Sequence, residues 1–396
     1  NRLFAGDEAE REFRRGLESA GERASGAGGP GRIHPLVFDG IEPLRVGEAL
    51  ACLFSGTPVL LAARSWGSWT WREVDRLSRI PLNPGSVVLR TGGSTGEAKF
   101  AVHTWDSLDC AAEQGWRHFQ KQPLSTVLDL PLHHVSGWMP VLRALVSGGL
   151  LSLPGEQADL PGLLCRSVVP TTLYRNLRDK DKSNALKKAD RVFAGGAPFD
   201  PALLDRARRE KIRLSLVYGM TETAAMVALQ EAEDFLEGKP PTLKPFGKNE
   251  VELAEDGEIL IRSPQLFEGY WGRDPVPKEE GWWRTGDRGE ETGEGEFRPL
   301  GRKGRFADAG GETVSLGRIE QAVSEISGVE DFWLGVLPDE EWGSRLILFV
   351  VSSTERDWKA ELKGRLDPGE VPAEIRVVES IPRGATGKID PDQLLG

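Results

Sequence analysis

The sequence has few of the features that mark membrane and secreted proteins. A transmembrane helix needs about 18 consecutive apolar residues, and no apolar run among the 396 residues approaches that length, so we expect none. The segment Asn1–Glu8 does not join a basic to an apolar stretch, which argues against a signal peptide. Three cysteines, without a Cys-x-x-Cys pair, exclude a disulfide framework and a cysteine-based zinc site. These absences favour a reducing compartment, and we expect a cytoplasmic protein.

The sequence also has few histidines and more acidic than basic residues. The last of five histidines is His134, so chemistry in the remaining two thirds must use carboxylates, lysines, hydroxyls or backbone groups. With 50 basic against 61 acidic residues, the net charge of −11 disfavours a broad surface for nucleic acid or anionic membranes. The composition, 39% hydrophobic and 28% charged, is typical of globular proteins, and the length allows two or three domains.

Short β-branched or leucine-rich runs alternate with amphipathic ones between about residues 45 and 300. Four of them are predicted strands: Ser86–Arg90, Ser125–Leu130, Arg191–Ala194 and Leu214–Tyr218. A helix that begins near Asp200 separates the last two strands. This order predicts parallel-rich sheets covered by helices, with ligands beyond the carboxyl ends of the strands. Further upstream, the Gly- and Ser-rich segment Gly16–Gly31 predicts a flexible surface loop.

The C-terminal part of the sequence has a different, α+β pattern. It predicts helices and strands in the order Leu316–Ile326 (helix), Asp331–Leu337 (strand), Leu346–Val351 (strand), Trp358–Leu366 (helix) and Ile375–Val378 (strand). We therefore predict an α/β protein with a large N-terminal domain over residues 1–301 and a small α+β domain over residues 302–396.

A Gly-rich loop follows the first predicted strand and reads Thr91-Gly92-Gly93-Ser94-Thr95-Gly96-Glu97-Ala98-Lys99. Its glycines let backbone N–H groups turn toward an anion, and its hydroxyls and Lys99 add donors, so the loop can cradle a phosphate. It is not a Walker loop, because the Gly-Lys pair of that pattern is absent. The Gly-x-Ser-x-Gly spacing also fits a serine-hydrolase elbow, but no histidine beyond His134 can complete a triad. A plain hairpin turn is the remaining local alternative.

Three further segments place polar groups in turns. Thr221 and Glu222 follow a strand and suit phosphate and Mg²⁺, although Glu222 could instead cap a helix. Asp287 ends the segment Gly281–Asp287 and can accept two ribose hydroxyls or hold a plain turn. Lys388 is flanked by Gly387 near the C-terminus, where a lone lysine is ordinarily solvated.

Taken together, these segments resemble the adenylate-forming superfamily of acyl- and aryl-CoA ligases, peptide-synthetase adenylation domains and firefly-type luciferases. The phosphate loop departs from the family pattern at Gly92, Ala98 and Phe100 and matches it at Thr91, Gly93, Ser94, Thr95, Gly96 and Lys99. The other matching segments are Tyr218-Gly219-Met220-Thr221-Glu222, Gly281–Asp287, Gly301-Arg302-Lys303, Gly310-Gly311-Glu312, Pro382-Arg383 and Gly387-Lys388. The matches keep the family's order along the chain.

The resemblance implies that a carboxylic acid reacts with ATP to form an acyl-adenylate, from which CoA then displaces AMP. It assigns catalysis to Lys388, Thr221 and Glu222, with Glu222 also holding Mg²⁺. The implied ATP- and AMP-binding residues are Thr91, Gly93, Ser94, Thr95, Gly96, Lys99, Gly195, Gly196, Ala197, Tyr218, Gly219, Asp287 and Arg302. Adenine would stack on Tyr218. The small domain is expected to be mobile about a hinge at Gly304, where the family usually has Asp or Lys.

Within the superfamily, Leu130-Pro131-Leu132-His133-His134-Val135-Ser136-Gly137 is similar to a segment of the o-succinylbenzoate–CoA ligases of menaquinone and phylloquinone synthesis. Amino-acid-activating domains usually carry an Asp at this position, which is absent here. The similarity implies that the acid and CoA meet His134, Ser136 and Gly137, and that Gly310 and Gly311 line the pantetheine path. A core histidine that fixes the helix start is the alternative for His134.

Three other functions are kept as alternatives. They are another aryl- or acyl-CoA ligase, a stand-alone enzyme that adenylates an acid for a carrier protein, and a degenerate homologue that only binds nucleotide. The expected partners are a small carboxylic acid, ATP and CoA, without nucleic acid or a membrane span. A homodimer is left open.

Overall fold

The computed structural model describes residues 2–24, 33–66, 68–91, 99–156, 159–196, 199, 201–302, 306–309, 312–339, 343–366, 370–382, 389 and 392–395. Across those ranges, there is no helix that is both long and apolar enough to cross a membrane.

Strands and helices are mixed up to about residue 236, and from there to residue 315 the described elements are strands. The strands are β1 His34–Phe38, β2 Val59–Ala63, β3 Val87–Thr91, β4 Lys99–His103, β5 Leu124–Val127, β6 Leu151–Ser152, β7 Leu163–Val168, β8 Arg191–Ala194, β9 Leu214–Met220, β10 Ala225–Leu229, β11 Lys244–Pro245, β12 Glu250–Leu253, β13 Glu258–Arg262, β14 Gly269–Tyr270, β15 Trp283–Gly293, β16 Glu296–Arg302, β17 Phe306–Ala309, β18 Glu312–Ser315, β19 Val329–Asp339, β20 Gly343–Ser352 and β21 Glu374–Val377. The helices are α1 Asp7–Ala24, α2 Pro43–Phe54, α3 Ser68–Leu77, α4 Trp105–His118, α5 Val135–Ser147, α6 Pro170–Arg178, α7 Lys180–Lys187, α8 Pro201–Arg209, α9 Ala232–Leu236, α10 Leu316–Ser324, α11 Trp358–Lys363 and α12 Asp392–Leu395, with a short 3-10 turn at Thr221–Thr223.

Two parallel-rich sheets form the large N-terminal part. The seven-stranded sheet has the order β11-β10-β9-β8-β7-β5-β6. In it β5, β6, β7, β8 and β9 run parallel, β10 is antiparallel to β9, and β11 is antiparallel to β10. The five-stranded sheet has the order β1-β2-β3-β4-β14 and is parallel from β1 to β3. Helices cover these sheets, so β2, whose five residues are all buried, carries apolar side chains on both faces.

Two smaller sheets complete the fold. An antiparallel sheet of order β12-β13-β15-β16 leads toward the C-terminal part. There, β18-β17-β20-β19 form a sheet whose strand β20 also pairs with β21, and α10 and α11 pack against it. The predicted fold class is confirmed, and the predicted strands and helices of this region are present as α10, β19, β20, α11 and β21. The boundary predicted near Arg302 coincides with the end of β16 and stays a prediction.

The prediction of a loop over Gly16–Gly31 is wrong for its described part, because residues 16–24 belong to helix α1. Gly16 and Gly47 face each other where α1 crosses α2. An added Cβ at Gly16 would collide with the carbonyl oxygen of Leu44, and one at Gly47 with that of Phe13. Glycine therefore permits two helices to approach closely, a use that composition does not distinguish from a turn. Residues 25–31 lie outside the described part of the chain.

Candidate active site

The turn Thr221–Thr223 lies where the two large sheets meet. It follows β9 of the seven-stranded sheet and packs against β3 and β4 of the five-stranded sheet. Immediately after it, Ala224 and Ala225 have positive φ values of 48° and 76°. This conformation costs a non-glycine residue about 1 kcal/mol, and such strain persists mainly at functional sites. The turn therefore has the backbone character of a functional loop.

Glu222 is buried and paired. Its carboxylate accepts a hydrogen bond from the Tyr270 hydroxyl at 2.7 Å, which stabilises a charged group away from water. The Nζ atom of Lys99 lies 5.4 Å from the centre of the same Tyr270 ring. Tyr270 thus connects the predicted Mg²⁺ carboxylate with the predicted phosphate-loop lysine.

The side chains around Glu222 suit Mg²⁺ better than a metal whose ligands all come from the protein. Among the described residues, there is no group of three or more His, Cys, Asp or Glu that could hold a metal ion. Mg²⁺ commonly binds one or two carboxylates together with water and substrate phosphates. A single buried carboxylate that is linked through Tyr270 to Lys99, at the end of the predicted phosphate loop, fits that arrangement.

His103 supports the turn from the neighbouring sheet. It ends β4, is fully buried, and its Nε2 donates a hydrogen bond to the carbonyl oxygen of Thr221 at 2.7 Å. Since a carbonyl only accepts, the proton is on Nε2, and Nδ1 faces the Ser107 hydroxyl at 3.0 Å. Burial lowers the pKa of His103 to about 4, so the ring is neutral. His103 therefore positions Thr221.

Sequence reasoning missed both His103 and Tyr270. The sequence feature that could have indicated His103 is its position at the end of the apolar run Phe100-Ala101-Val102, which follows the phosphate loop. No sequence feature indicates Tyr270, because Tyr270 reaches Glu222 only through the pairing of β14 with β4.

The residues predicted to bind adenosine come together from three elements. The Tyr218 hydroxyl donates a hydrogen bond to Asp287 Oδ2 at 2.8 Å, across 69 positions of sequence. The backbone N–H of Asp287 in turn donates to the Thr285 hydroxyl at 3.0 Å. Asp287 lies directly opposite Arg302 in the antiparallel pairing of β15 with β16. Tyr218, predicted to stack on adenine, and Asp287, predicted to accept ribose hydroxyls, are thus neighbours. Arg302, also predicted to bind ATP or AMP, lies beside them in the backbone pairing.

Three glycines predicted to bind ATP or AMP, Gly195, Gly196 and Gly219, occupy backbone positions that favour glycine. Gly195 follows β8 and lies beside Val217 of the parallel strand β9, so that an added Cβ would collide with the Val217 side chain. Gly196 has a φ of 87°, which favours glycine. Gly219 passes so close to Ala225 that no side chain fits. Because they have no side chain, these three glycines let neighbouring segments approach closely around Tyr218.

The ends of the phosphate loop are directly opposite each other. Thr91 ends β3 and pairs with Lys99 at the start of the antiparallel strand β4, so the loop between them is a hairpin connection. A nucleophile elbow joins a strand to a helix, and the hydrolase alternative is therefore wrong. The hairpin alternative is right as topology and is compatible with phosphate binding.

The segment predicted to meet the acid begins helix α5. His134 precedes the helix, is exposed, and makes no side-chain capping hydrogen bond, which does not fit a core histidine that fixes the helix start. Gly137 is buried against Pro131, whose carbonyl oxygen an added Cβ would strike. Ser136 lies half-buried between them in sequence. The exposure of His134 leaves it accessible to a substrate.

Several predicted site residues lie outside the described part of the chain and stay predictions. They are Gly93, Ser94, Thr95, Gly96, Ala197, Gly310, Gly311 and Lys388, together with the side chain of Arg302.

Comparison with known proteins connects this geometry to a family. Residues 80–271 match the family described as AMP-binding enzyme, and residues 318–388 match the AMP-binding enzyme C-terminal domain. A 2-succinylbenzoate–CoA ligase of Listeria monocytogenes serotype 4b is 28% identical over 332 residues, which cover 79% of this chain and 70% of that protein. The 2-succinylbenzoate–CoA ligase of Salmonella typhimurium is 32% identical over 75% of this chain and 63% of that protein.

The fold is also that of a solved ligase. The o-succinylbenzoate CoA synthetase MenE from Bacillus subtilis, in complex with the acyl-adenylate intermediate OSB-AMP, superposes with a TM-score of 0.76. The match covers 97% of this chain and 92% of that chain at 19% sequence identity.

Proposed function

Because the chain belongs to the AMP-binding enzyme family, we propose that it is an ATP-dependent acid–CoA ligase that works through an acyl-adenylate. The observation that carries this proposal is the junction of the two sheets. There, the Tyr218–Asp287 hydrogen bond supports an adenosine site, and Glu222, Tyr270 and Lys99 would form a phosphate site beside it.

We propose 2-succinylbenzoate as the acid. The two relatives described above are 2-succinylbenzoate–CoA ligases, and the segment Leu130–Gly137 is similar to the corresponding segment of such ligases. Activation of this acid would place the protein in quinone synthesis. We also propose a cytoplasmic location, because ATP and CoA are intracellular metabolites.

The first half-reaction joins two anions. An oxygen of the substrate carboxylate attacks the α-phosphorus of ATP, a P–O bond forms, and the bond to pyrophosphate breaks. Positioning and charge neutralisation supply most of the catalysis in such a step. Lys99 and the loop that it ends would hold the β- and γ-phosphates, and Thr221 the α-phosphate. Glu222 would hold Mg²⁺, whose charge offsets that of the phosphates.

The second half-reaction transfers the acyl group. The CoA sulfur attacks the carbonyl carbon of the acyl-adenylate, a C–S bond forms, and AMP leaves with the electrons of the C–O bond. We propose that residues 302–396 move as a unit between the two half-reactions. In the first step they bring Lys388 to the reacting oxygens, and in the second they place Gly310 and Gly311 along the pantetheine path.

The acid and the thiol acceptor are tested by product formation. Pyrophosphate release and CoA-dependent AMP production are measured with 2-succinylbenzoate, benzoate, medium-chain fatty acids and amino acids. We expect both products with 2-succinylbenzoate at least about tenfold above the other acids. Turnover of another acid without 2-succinylbenzoate would reject the acid and keep the class, whereas ATP binding without pyrophosphate release from any acid would indicate a degenerate homologue. Pyrophosphate release without a CoA thioester would favour a carrier-protein acceptor.

Matched carboxylate variants connect that result with the site. Glu222→Gln keeps the shape of a buried side chain and removes its charge, and we expect it to lower adenylate formation by at least about a hundredfold. Glu268→Gln makes the same change at an exposed position two residues before Tyr270 and should retain wild-type activity. Equal activity of both variants would contradict the role of Glu222.

A further inference from the structure

Among the described residues, none pairs with the guanidinium of Arg90. Arg90 is the penultimate residue of β3 and is half-buried. Its Nε atom is buried and makes no hydrogen bond to any residue that the structure describes. Within the described ranges, there is no carboxylate oxygen within 4.0 Å of the guanidinium. Buried polar groups are normally hydrogen-bonded, so an arginine left in this state calls for a ligand.

The surroundings of Arg90 hold it in place without neutralising it. The guanidinium lies 5.7 Å from the centre of the buried Trp66 ring. His133 stands perpendicular to Trp66 at 6.3 Å, and its ring is 4.3 Å from that of His134. Burial, with smaller contributions from His134 and Arg90, lowers the pKa of His133 to about 4, so His133 is uncharged at neutral pH. Arg90 therefore supplies the positive charge of this group of side chains.

Arg90 lies on the opposite face of the hairpin from the ATP phosphate site. Thr91 and Lys99 are direct cross-strand partners and share one face, on which Lys99 reaches Tyr270. Since successive residues of a strand alternate between faces, Arg90 points to the other one, and there it meets Trp66. His133 and His134 extend this face toward the start of α5, where we place the acid and CoA.

We propose that Arg90 binds an oxyanion carried by the acid or by CoA, on the face of the hairpin turned away from ATP. The identity of these substrates rests on the proposed function. 2-Succinylbenzoate has a second carboxylate besides the one that is activated, and CoA carries phosphates. The planar guanidinium fork matches either group. The bound oxyanion would accept hydrogen bonds from the guanidinium nitrogens, of which Nε has no partner among the described residues.

Kinetics of the two half-reactions separate the two sources. The variants are Arg90→Met, Arg90→Lys and, as a matched control, Arg76→Met on α3, where the exposed guanidinium pairs with Glu73 at 2.6 Å. If the ligand is the second carboxylate, Arg90→Met raises the KM for 2-succinylbenzoate in adenylate formation at least about tenfold. The KM for 3-benzoylpropionate, which lacks that carboxylate, stays within about twofold. Arg90→Lys restores part of the loss.

If the ligand is a phosphate of CoA, adenylate formation is unchanged in Arg90→Met. The KM for CoA in thioester formation then rises at least about tenfold, whereas that for pantetheine, which has no phosphate, does not. KM values within about twofold of wild type for 2-succinylbenzoate and CoA would overturn the proposal. An equal loss with all four substrates would also overturn it, since it would indicate a purely structural arginine.

Thermal unfolding of the variants separates a loss of ligand binding from a loss of stability. Because Arg90 leaves a buried donor unpaired, Arg90→Met is expected to leave the Tm unchanged or to raise it. A clear fall in Tm together with a uniform fall in kcat would speak against a binding role. If the wild type uses a different acid, the choice of 2-succinylbenzoate fails. The Arg90 test then proceeds with CoA, pantetheine, and paired acids with and without a second carboxylate.

Discussion

At the scale of single residues, the candidate site depends on side chains that reach it from a neighbouring sheet. His103 holds the backbone of Thr221, and Tyr270 holds the carboxylate of Glu222. The turn that carries both predicted site residues is followed by two alanines with positive φ, a conformation that needs support from its surroundings. The neutral form of His103 matters here, because a charged ring in a fully buried position would be strongly destabilised.

The buried state of His103 predicts a loss of stability in acid. Its folded pKa of about 4 lies below the ordinary 6.5, so the unfolded chain binds more protons between these values. Stability is therefore complete above about pH 6.5, falls as the pH drops toward 4, and levels off below. The loss attributable to this group is on the order of 3 kcal/mol. The measurement is the free energy of unfolding by urea at several pH values between 4 and 7.

A variant isolates this contribution. His103→Asn retains an N–H donor for Thr221 but does not titrate, and we expect a flatter dependence of stability on pH. His133→Asn provides the comparison, because the pKa of His133 is also lowered to about 4 and acts in the same direction. A pH profile of His103→Asn that matches the wild type would show that His103 does not titrate as inferred.

At the scale of elements, the crossing of α1 and α2 depends on the absence of two side chains. Gly16 and Gly47 let the backbones approach so closely that an added Cβ would meet a carbonyl oxygen of the other helix. Backbone atoms cannot move aside as the end of a flexible side chain can, so the helices would have to separate. The apolar side chains of α1 and α2, such as Phe13 and Leu50, are part of the core that would then open.

We therefore expect Gly16→Ala and Gly47→Ala each to destabilise the protein by about 2 kcal/mol or more. Gly115→Ala is the matched control, since Gly115 lies within helix α4 and an added Cβ there would be 3.6 Å from Arg143, an ordinary contact. Alanine is the better helix former, so the control should be neutral or slightly stabilising. Chemical denaturation measures all three. Equal stability of Gly16→Ala and Gly115→Ala would disprove the close crossing.

At the scale of the whole molecule, the proposed mechanism assigns the two half-reactions to two arrangements of one chain. Residues 1–301 would supply the adenosine and phosphate sites, and residues 302–396 would supply Lys388 in one arrangement and Gly310-Gly311 in the other. Substitutions in the smaller part should therefore affect the half-reactions separately. A rigid single unit would lose both together.

Two substitutions should give opposite kinetic patterns. Lys388→Ala removes the charge that meets the reacting oxygens, and we expect adenylate formation to fall by at least about a hundredfold while thioester formation from supplied acyl-adenylate stays nearly intact. Gly304→Pro restricts the backbone at the proposed hinge, since proline holds φ near −65°, and should impair thioester formation more than adenylate formation. Single-turnover assays of each half-reaction provide the measurement. Equal losses in both half-reactions for either variant would contradict the domain movement.

Much of the fold and of the site was readable from local sequence. The runs that became β3, β8 and β9 are apolar and β-branched, and their neighbours in sequence suffice to indicate strands. Glu222 and Asp287 stand in short turn motifs whose residue types suit Mg²⁺ and ribose, whereas the role of Tyr218 follows only from the family resemblance. Secondary-structure propensity and motif spacing are properties of adjacent residues, so both can be recognised without a structure. The same local reasoning misplaced Gly16, because a turn and a close helix crossing both favour glycine.

Contacts between distant parts of the chain were decided only by the tertiary structure. His103 meets Thr221 across 118 positions, and Tyr218 meets Asp287 across 69. Such pairs depend on which strands become neighbours and on which face a side chain emerges, and one shifted residue in register would reverse the face. The same dependence leaves Arg90 without a partner among the described residues. The sequence shows that Arg90 carries a charge, but only the folded sheet shows that no described carboxylate lies beside it.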